Sequence, residues 1–356
     1  MPPRRPVLAG GGWHQSADRA RNLTPSAILG ALPPPALILA GIISVQVGAG
    51  LAKELFAVVP PAAVTLLRLW SSAIVMLAPF AWRAGRNKVP RLWRGRVVLP
   101  ARRRALVAHR PSEGSAKGAK GLEDAACPPQ APGIAWRSLG VAAAFGLTLA
   151  TMNFAIYQSF ARIPLGLAVT IEFLGPLGVA VAASRRGIDF GWVGLACGGV
   201  VLLTRGGGHV STSGIIFALA AAACWAAYIL LSATTGRRFR GSTGLSVAMV
   251  VAAIAITPAG LVAGGPAVFR PPILAIGAGI GLLSSVIPYS LELEALRRMP
   301  PRVFGILMSL EPAVAALVGL LLLGQVLTAA EWIAIGCVMV ACIGATRGAS
   351  AGRLEA

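Results

Sequence analysis

"AVTIEFLGPLGVAV", residues 168–181, is an apolar stretch that contains one carboxylate, Glu172, and one proline, Pro176. The same combination returns farther along the chain, where Glu311 directly precedes Pro312. An ionisable residue inside a membrane helix costs about 2.5–3.5 kcal/mol on insertion scales, so it persists where it faces water or a partner. A proline removes a backbone donor and disrupts the hydrogen bond to the residue four positions earlier. Acid and proline together predict two interrupted membrane helices that line a hydrated cavity.

The composition is typical of a membrane protein. Of the 356 residues, 56% are hydrophobic and 12% are charged, whereas about 25% of the residues in soluble domains are charged. The mean hydropathy is +0.75, and apolar runs recur at close to the ~20 residues that cross a bilayer. We predict an all-α polytopic membrane protein with ten transmembrane helices, at about residues 36–56, 62–82, 139–160, 165–183, 190–204, 213–233, 243–264, 272–294, 303–323 and 329–346.

The net charge of +20 lies mainly between the apolar runs. Lys and Arg are concentrated in alternate loops and in both tails, as the positive-inside rule requires of cytoplasmic segments. Both termini are therefore predicted to be cytoplasmic. No signal-like region with a cleavage site precedes the first span, so we predict that this span is retained. The basic segments lack the fold and the interleaved aromatic residues of a nucleic-acid-binding module, and we predict no nucleic-acid partner.

Three segments lie outside the predicted spans. Residues 1–34 form a basic tail, residues 83–138 form a stretch rich in Arg, Pro, Gly and Ala, and residues 347–356 form a second tail. The middle segment has no sustained periodicity, so we predict that it is a disordered cytoplasmic insertion. Its basic residues either contact anionic lipid headgroups or only follow the positive-inside rule, and we favour the second interpretation.

The sequence contains an internal repeat. Residues 153–176 align without a gap on residues 289–312, which places Pro164 on Pro300 and aligns the prolines of the two acid–proline pairs. Each repeat would hold five spans, and consecutive units with an odd number of spans enter the membrane from opposite sides. Such inverted repeats are typical of secondary transporters, whose substrate site lies near the midplane. The two predicted repeats are residues 35–204 and residues 213–346.

The two acids are predicted to approach the middle of the bilayer from opposite sides. At ~1.5 Å per residue, Glu172 lies about 10 Å from one face and Glu311 about 12 Å from the other, in a core about 30 Å thick. Arg68 in span two is the obvious partner of Glu172, so a structural ion pair is the alternative to a functional role. We favour function for all three, because intramembrane charge marks function by default. Lys53, at the end of span one, either joins them or snorkels to the outer surface.

Further candidates are polar or aromatic residues within the spans or near their ends. As a set they offer hydrogen bonds to a small polar solute, although each one alone is more typical of packing or interface anchoring. They are Asn153, Tyr157, Trp225, Tyr228 and Tyr289, with Pro288 as a third helix-kinking proline. Glu292 and Glu294 lie near the end of span eight, where we expect Arg297 and Arg298 to neutralise both.

Hydrolytic and nucleotide-binding motifs are absent from the sequence. There is no HExxH, Walker A or GxSxG motif, and the three histidines, His14, His109 and His209, lie outside the predicted spans. We therefore predict a protein that is not an enzyme and that needs no metal or cofactor. Transport would have to use an ion gradient or the gradient of the solute itself.

Several stretches resemble a known family. They include "SVQVGAGLAKELF" in span one, "EFLGPLGVA" in span four, "PYSLE" in span eight and "SLEPA" in span nine. The sequence resembles the EamA branch of the drug/metabolite transporter superfamily through nearly all ten spans, and within it the exporters of threonine and homoserine. The resemblance implies a proton-exchanging exporter of small neutral amino acids in the bacterial inner membrane, with an oligomeric state that stays open. The long N-terminal tail and the 83–138 insertion depart from the family pattern.

A zwitterionic substrate needs a cation for its carboxylate and an acceptor for its ammonium group. We predict that Arg68, with Lys53, binds the carboxylate, and that Glu172 or Glu311 binds the ammonium group or carries the exchanged proton. Two alternatives stay open. One is an exporter of another metabolite or of a cationic drug with the same architecture. The other is a lipid-modifying membrane enzyme, which would need clustered acid and base residues at headgroup depth.

Overall fold

The fold consists of helices that run back and forth through one bundle. The computed structural model describes residues 32–85, 133–183, 187–205, 211–238 and 243–351, and within these ranges there are helices and no strands. The predicted all-α polytopic fold is therefore confirmed. The α-helices are α1 Pro34–Leu55, α2 Pro61–Gly85, α3 Gly133–Phe160, α4 Leu165–Glu172, α5 Leu174–Ala182, α6 Gly187–Arg205, α7 Thr212–Arg238, α8 Thr243–Gly264, α9 Pro271–Gly281, α10 Ile287–Arg298, α11 Pro301–Met308, α12 Glu311–Leu323 and α13 Ala329–Ala351.

The described helices match the ten predicted spans. Within the described ranges, nine helical stretches are long and apolar enough to cross a membrane, and Gly187–Leu202 in α6 is a shorter apolar helix. Three of the spans consist of two helices each: α4 with α5, α9 with α10, and α11 with α12. The helices α2 and α3 also extend farther into the predicted insertion than expected, to Gly85 and from Gly133. The remainder of that insertion, most of the first tail and the end of the second lie outside the described residues.

The span made of α4 and α5 is interrupted beside its proline. The helix α4 ends at Glu172 and α5 begins at Leu174. Pro176 has no N–H to donate to the carbonyl of Glu172, so the regular hydrogen-bond ladder is lost at this point. The helical hydrogen bonds on either side of the break are kept. The N–H of Phe173 donates to the carbonyl of Val169 at 3.0 Å, and the N–H of Leu177 donates to the carbonyl of Phe173 at 3.2 Å.

The span made of α11 and α12 is interrupted in the corresponding place. The helix α11 ends at Met308, which is the residue four positions before Pro312, and α12 begins at Glu311. The N–H of Leu310 instead donates to the carbonyl of Leu307 at 3.0 Å, which tightens the turn between the two helices. Both interruptions therefore place a glutamate at a helix end inside the bundle.

The span made of α9 and α10 is distorted rather than broken. Residues Leu282–Val286 between the two helices form a π-helical turn. Pro288 follows this turn, and it cannot donate to the carbonyl of Ser284 four positions earlier. Local π-helical turns frequently occur at functional sites, because they free carbonyl groups inside a helix.

The helices pack in a pattern that is preserved when the two halves of the chain are exchanged. The helix α1 packs against α10 and α12, and its counterpart α7 packs against α3 and α4. Other large contacts join counterparts directly, α2 to α8 and α6 to α13, and α4 packs against α12 of the span equivalent to its own. The contact of α3 with α8 likewise has its equivalent in the contact of α9 with α2. This is the arrangement that two halves related by a pseudo-two-fold axis would have.

Two glycines allow the interrupted spans to pack closely. A Cβ atom at Gly166 of α4 would lie 2.7 Å from the Cα atom of Ala316 in α12. A Cβ atom at Gly175 of α5 would collide with the backbone carbonyl of Ala222 in α7. Small residues at such positions let helix backbones approach each other in membrane proteins, and here they hold α4 and α5 against the other half of the chain.

The bundle has two ends, which we name by residues of α1. At the Pro34 end, Arg298 of α10 donates a hydrogen bond to the carbonyl of Leu32 at 3.4 Å. At the Lys53 end, Lys53 donates to the carbonyl of Ile163, between α3 and α4, at 2.8 Å. The midpoints of α1, α2 and the interrupted spans lie between these ends.

Candidate functional site

Arg68 is the cation at the centre of the bundle. Its Nη2 atom donates to the carbonyl of Ser284 at 3.1 Å, and its Nη1 atom donates to the hydroxyl of Tyr157 at 3.3 Å. The guanidinium carbon also lies 5.3 Å from the centre of the Tyr157 ring, within the range of a cation–π contact. Its Nε atom is buried and has no hydrogen-bond partner among the described residues. The Nε–H group is thus left to donate to a ligand.

The contact between Arg68 and Ser284 follows from the position of Pro288. Because Pro288 cannot donate to the Ser284 carbonyl, that carbonyl is free to accept from Arg68. The neighbouring carbonyl of Leu283 accepts from the Ser44 hydroxyl of α1 at 2.8 Å. Irregular backbone inside a membrane protein is tolerated only where such partners satisfy it. The π-helical turn therefore holds α1 and α2 beside the site.

Glu172 lies at the end of α4, where it is partly buried and faces the site. Its carboxylate interacts electrostatically with the guanidinium of Arg68 and with the carboxylate of Glu311. The adjacent Phe173 packs edge-on against Trp225 of α7, with ring centres 5.0 Å apart. The interruption of the span thus places the Glu172 carboxylate near the guanidinium of Arg68.

Glu311 is the first residue of α12 and is 8% exposed. The Nε2 atom of Gln46 in α1 donates to its Oε1 atom at 2.9 Å. Gln46 is itself 3% exposed, and its Oε1 atom has no hydrogen-bond partner among the described residues. A buried acceptor without a donor is costly. The amide oxygen and the adjacent carboxylate therefore form a position suited to a ligand that donates hydrogen bonds.

Gln46 and Ser284 are site residues that the sequence-based candidates did not include. Gln46 stands alone in the apolar stretch "SVQVGAG" of α1, and a lone amide in the middle of a membrane helix is a usable sign of an interior contact. Ser284 contributes its carbonyl rather than its side chain. That role depends on the proline four residues later. The spacing alone does not say which side chain donates a hydrogen bond to the freed carbonyl.

The structure brings most of the predicted site residues together and leaves others apart. Tyr157 is fully buried against Arg68, and Tyr289 interacts electrostatically with Arg68, Glu172 and Glu311. Trp225, Tyr228 and Tyr289 are partly buried, and the ring of Tyr228 lies 5.0 Å from that of Phe145. Asn153 is buried and donates to the carbonyl of Leu149 in its own helix at 2.8 Å. Lys53 lies apart from this group, at the Lys53 end.

The other predicted pairings can also be located. Glu294 accepts hydrogen bonds from Arg297 at 3.3 Å and from Arg298, whose Nε atom lies at 2.8 Å. Glu292 forms no hydrogen bond or ion pair with a residue in the described ranges. The expectation that the two arginines neutralise both acids is therefore wrong for Glu292, because its side chain projects from a different face of α10.

An open groove between α5 and α7 is chemically different from the site. It has a volume of about 460 Å³ and is lined by Gly178, Val179, Ala182, Ala183, Ala226 and Leu230. None of these side chains forms hydrogen bonds, so the groove cannot orient a zwitterion. Within the described ranges, no three or more His, Cys, Asp or Glu residues are grouped so as to hold a metal ion. The group around Arg68 combines one guanidinium with carboxylates, which suits an amino acid.

Comparison with known proteins gives consistent matches. Residues 212–347 match the EamA-like transporter family. The chain is 36% identical over 316 residues to the threonine/homoserine exporter RhtA of Salmonella typhimurium strain SL1344, and 34% identical to RhtA of Escherichia coli K12, covering 88% of this chain and 91% of each relative. It is 27% identical over 199 residues to the uncharacterized inner membrane transporter YedA of E. coli K12, covering 52% of this chain and 63% of that protein.

The fold is also similar to that of a solved structure. A crystal structure of another protein superposes with a TM-score of 0.51 and covers 90% of this chain and 99% of its own. The sequence identity is 16%, so this likeness concerns the arrangement of the helices and carries nothing about the substrate.

Proposed function

The chain belongs to the EamA-like transporter family, and on that premise we propose that it exports small neutral amino acids of the threonine and homoserine type in exchange for protons. A member of this family is a membrane transporter and not an enzyme, which removes the lipid-modifying alternative. The observation that carries the proposal is the group formed by Arg68, Glu172 and Glu311 inside an apolar bundle. The relatives with named substrates, at 34–36% identity, support the choice of solute.

Arg68 is the group that binds the substrate carboxylate. Two of its nitrogen atoms are already held by Ser284 and Tyr157, which fixes the guanidinium in place, and its Nε atom is free to donate. Glu172 neutralises Arg68 when no substrate is bound. The substrate carboxylate competes with the Glu172 carboxylate for the same cation. Binding therefore requires the substrate carboxylate to replace Glu172 beside the guanidinium of Arg68.

Glu311 is the group that binds either the substrate ammonium or a proton. An ammonium ion brings only donors, and the Gln46 amide oxygen beside Glu311 has no donor among the described residues. When Glu311 takes a proton instead, the Gln46 amide can turn and accept a hydrogen bond from it. Because proton and ammonium compete for the same carboxylate, only one of them crosses at a time, which is the condition for exchange.

The interrupted spans supply the movement. Each consists of two helices joined at a break, and a break lets one half tilt while the other stays packed. In transporters with inverted repeats, such parts open the site to one side of the membrane and then to the other. Lys53 is better explained as a contact that closes the Lys53 end than as a substrate ligand, because it already binds the Ile163 carbonyl.

The orientation in the membrane follows from the charges. The Pro34 end carries the basic segments and is placed in the cytoplasm by the positive-inside rule, with both termini on that side. The Lys53 end would then face the periplasm of a bacterial inner membrane. The substrate enters at the Pro34 end and leaves at the Lys53 end.

A second candidate substrate class is larger and more aromatic. The partly buried rings of Trp225, Tyr228 and Tyr289 offer a surface on which a flat drug or metabolite would pack. Arg68 argues against a cationic drug, because its charge repels another cation in the same site. An amino acid remains the better fit.

The proposal is tested in inverted membrane vesicles, whose outer surface is the cytoplasmic face. Vesicles with the wild-type protein should take up radiolabelled threonine when the lumen is acidic. The Glu311→Gln and Glu172→Gln proteins should show less than about one hundredth of this uptake, the scale of a lost buried charge contact. Glu294→Gln is the matched control and should stay near wild type. Normal uptake by both site variants would contradict the assigned roles.

A further inference from the structure

Two glutamates of α10 that are two residues apart have different surroundings. Glu294 faces Arg297 and Arg298 and forms ion pairs with both. Glu292 is partly buried and forms no hydrogen bond or ion pair with any residue that the structure describes. Carboxylates inside membrane bundles are rare and almost always have a partner or face a wet cavity. The lack of a partner for Glu292 among the described residues therefore requires an explanation of its own.

Glu292 faces the interior against α1. The Cγ atom of Glu292 lies 3.8 Å from the place of a Cβ atom at Gly41, so the missing side chain of this glycine leaves room beside the carboxylate. The other neighbours of Gly41 are Pro288 and Leu291 of α10, and no charged residue of α1 lies at this contact. The position is on the Pro34 side of Pro288, and thus between the site and the predicted cytoplasmic entrance.

Among the described residues, the groups that interact with Glu292 include acceptors and no cation. It interacts electrostatically with Glu311 of α12, with Tyr228 of α7 and with Tyr289 of its own helix. Two neighbouring carboxylates repel each other unless a cation or a proton lies between them. Independently of these acids, the buried Oε1 atom of Gln46 beside Glu311 has no donor in the part of the chain that the structure describes. The lining from Glu292 to Gln46 therefore suits a small cation that donates hydrogen bonds.

We propose that Glu292 is a second ammonium-binding residue, which receives the substrate at the cytoplasmic entrance and passes it to Glu311. The inference rests on the proposed function, because it assigns one further step of the same path. An incoming amino acid meets Glu292 with its ammonium group, while its carboxylate is still in water. It then moves inward until the ammonium reaches Glu311 and the carboxylate reaches Arg68.

The test compares Glu292→Gln with Glu294→Gln in inverted vesicles. The two variants remove the same charge two residues apart on one helix, and only the first faces the path. We expect Glu292→Gln to raise the KM for threonine at the cytoplasmic face about tenfold or more, the effect of one charged hydrogen bond. Uptake at saturating threonine should stay within about twofold of wild type, and Glu294→Gln should change neither value beyond that margin.

A competitor without an ammonium group separates binding from a merely structural role. The probe is 2,3-dihydroxybutanoate, which is threonine with a hydroxyl in place of the ammonium group. Glu292→Gln should leave its inhibition constant unchanged or lower it, since a carboxylate no longer repels the probe. A structural defect would raise both the KM for threonine and the inhibition constant of 2,3-dihydroxybutanoate, and that result would overturn the inference.

The outcomes also distinguish the inference from the proposed function. Active wild-type vesicles in which Glu292→Gln and Glu294→Gln have the same KM would overturn the role of Glu292 alone. Wild-type vesicles that take up neither threonine nor homoserine would overturn the proposed function, and the role of Glu292 with it. Equal amounts of each variant in the vesicles, measured by immunoblot, are required for either conclusion.

Discussion

The helices α4 and α11 are equivalent in the two repeats, yet their surroundings differ completely. Each has eight residues, each follows a proline in extended conformation, Pro164 or Pro300, and each ends at a break before a second proline. In α4, all of the residues from Leu165 to Ile171 are buried. In α11, no residue is buried. The two halves thus share the same local design, but α4 is a buried, sealed helix whereas α11 is only partly buried or exposed.

The difference follows from the contacts at the two ends of the bundle. The N–H of Leu165, at the start of α4, donates to the Gln325 side chain at 2.9 Å. The carbonyl of the preceding Ile163 accepts from Lys53 at 2.8 Å. No equivalent side-chain contact holds the start of α11 among the described residues. The Lys53 end is therefore closed while the Pro34 end is looser, and a transporter with inverted repeats would work by exchanging these two conditions.

The largest expected effect comes from removing Arg68, the cation beside the end of the sealed helix α4. Arg68→Ala leaves the Ser284 carbonyl and the Glu172 carboxylate without their partner, which typically costs about 3–5 kcal/mol. We expect threonine uptake to fall more than about a hundredfold. Arg68→Lys keeps the charge without the planar fork and should retain a small part of the uptake. Uptake by Arg68→Ala within about tenfold of wild type would exclude Arg68 as the carboxylate ligand.

A smaller effect is expected from overpacking the sealed helix. Gly166→Val forces a side chain against the Ala316 backbone, and overpacking costs about 1–3 kcal/mol. Thermal unfolding in detergent should therefore start at a lower temperature. The control is Gly178→Val in α5, where an added Cβ atom would meet no other atom within 4 Å. Equal melting temperatures for the two variants would show that α4 is not tightly packed against α12.

Cysteine labelling compares the two helices directly. Ile171 in α4 and Leu307 in α11 occupy equivalent positions, and Ile171 is fully buried whereas Leu307 is partly buried. In a cysteine-free background, Leu307→Cys should react with an impermeant maleimide in inverted vesicles about tenfold faster than Ile171→Cys. Similar rates would mean that the asymmetry between α4 and α11 does not persist in the membrane.

The smallest effect is expected from weakening the closed end. Lys53→Met removes one hydrogen bond to the Ile163 carbonyl, and a bond from a charged group contributes about 1.5–3 kcal/mol at most, less where water replaces it. Labelling of Ile171→Cys from the periplasmic face should rise several-fold, and the KM for threonine should change little. Glu54→Gln, at an exposed neighbouring position, serves as the control. A large rise in KM would instead restore Lys53 as a ligand.

The sequence predicts the spans and the breaks well, because both follow from local chemistry. Long apolar runs define the spans, and Pro176 and Pro312 mark the residues at which α4 and α11 end. Arg68, a charged residue inside span two, is also expected from the sequence to be the partner of Glu172. These features need only the helical rise and the missing proline donor, without knowledge of how distant helices pack.

The partners of individual side chains could not be predicted in the same way. Glu292 and Glu294 differ by two positions, about 200° around a helix, and only the packing of α1 on α10 decides which one faces inward. The π-helical turn shifts this phase again, because it inserts an extra residue into one turn. The contact of Gln46 with Glu311 joins residues 265 positions apart, so it depends on the tertiary arrangement.

The central claim is that Glu311 carries a proton and the substrate ammonium in turn. Lumenal pH in inverted vesicles tests it directly, with a pH-sensitive dye inside and threonine added outside. Exchange predicts that threonine entry raises the lumenal pH in wild-type vesicles and leaves it unchanged in Glu311→Gln vesicles. Threonine uptake without any change in lumenal pH, or an unchanged response in Glu311→Gln, would contradict the account.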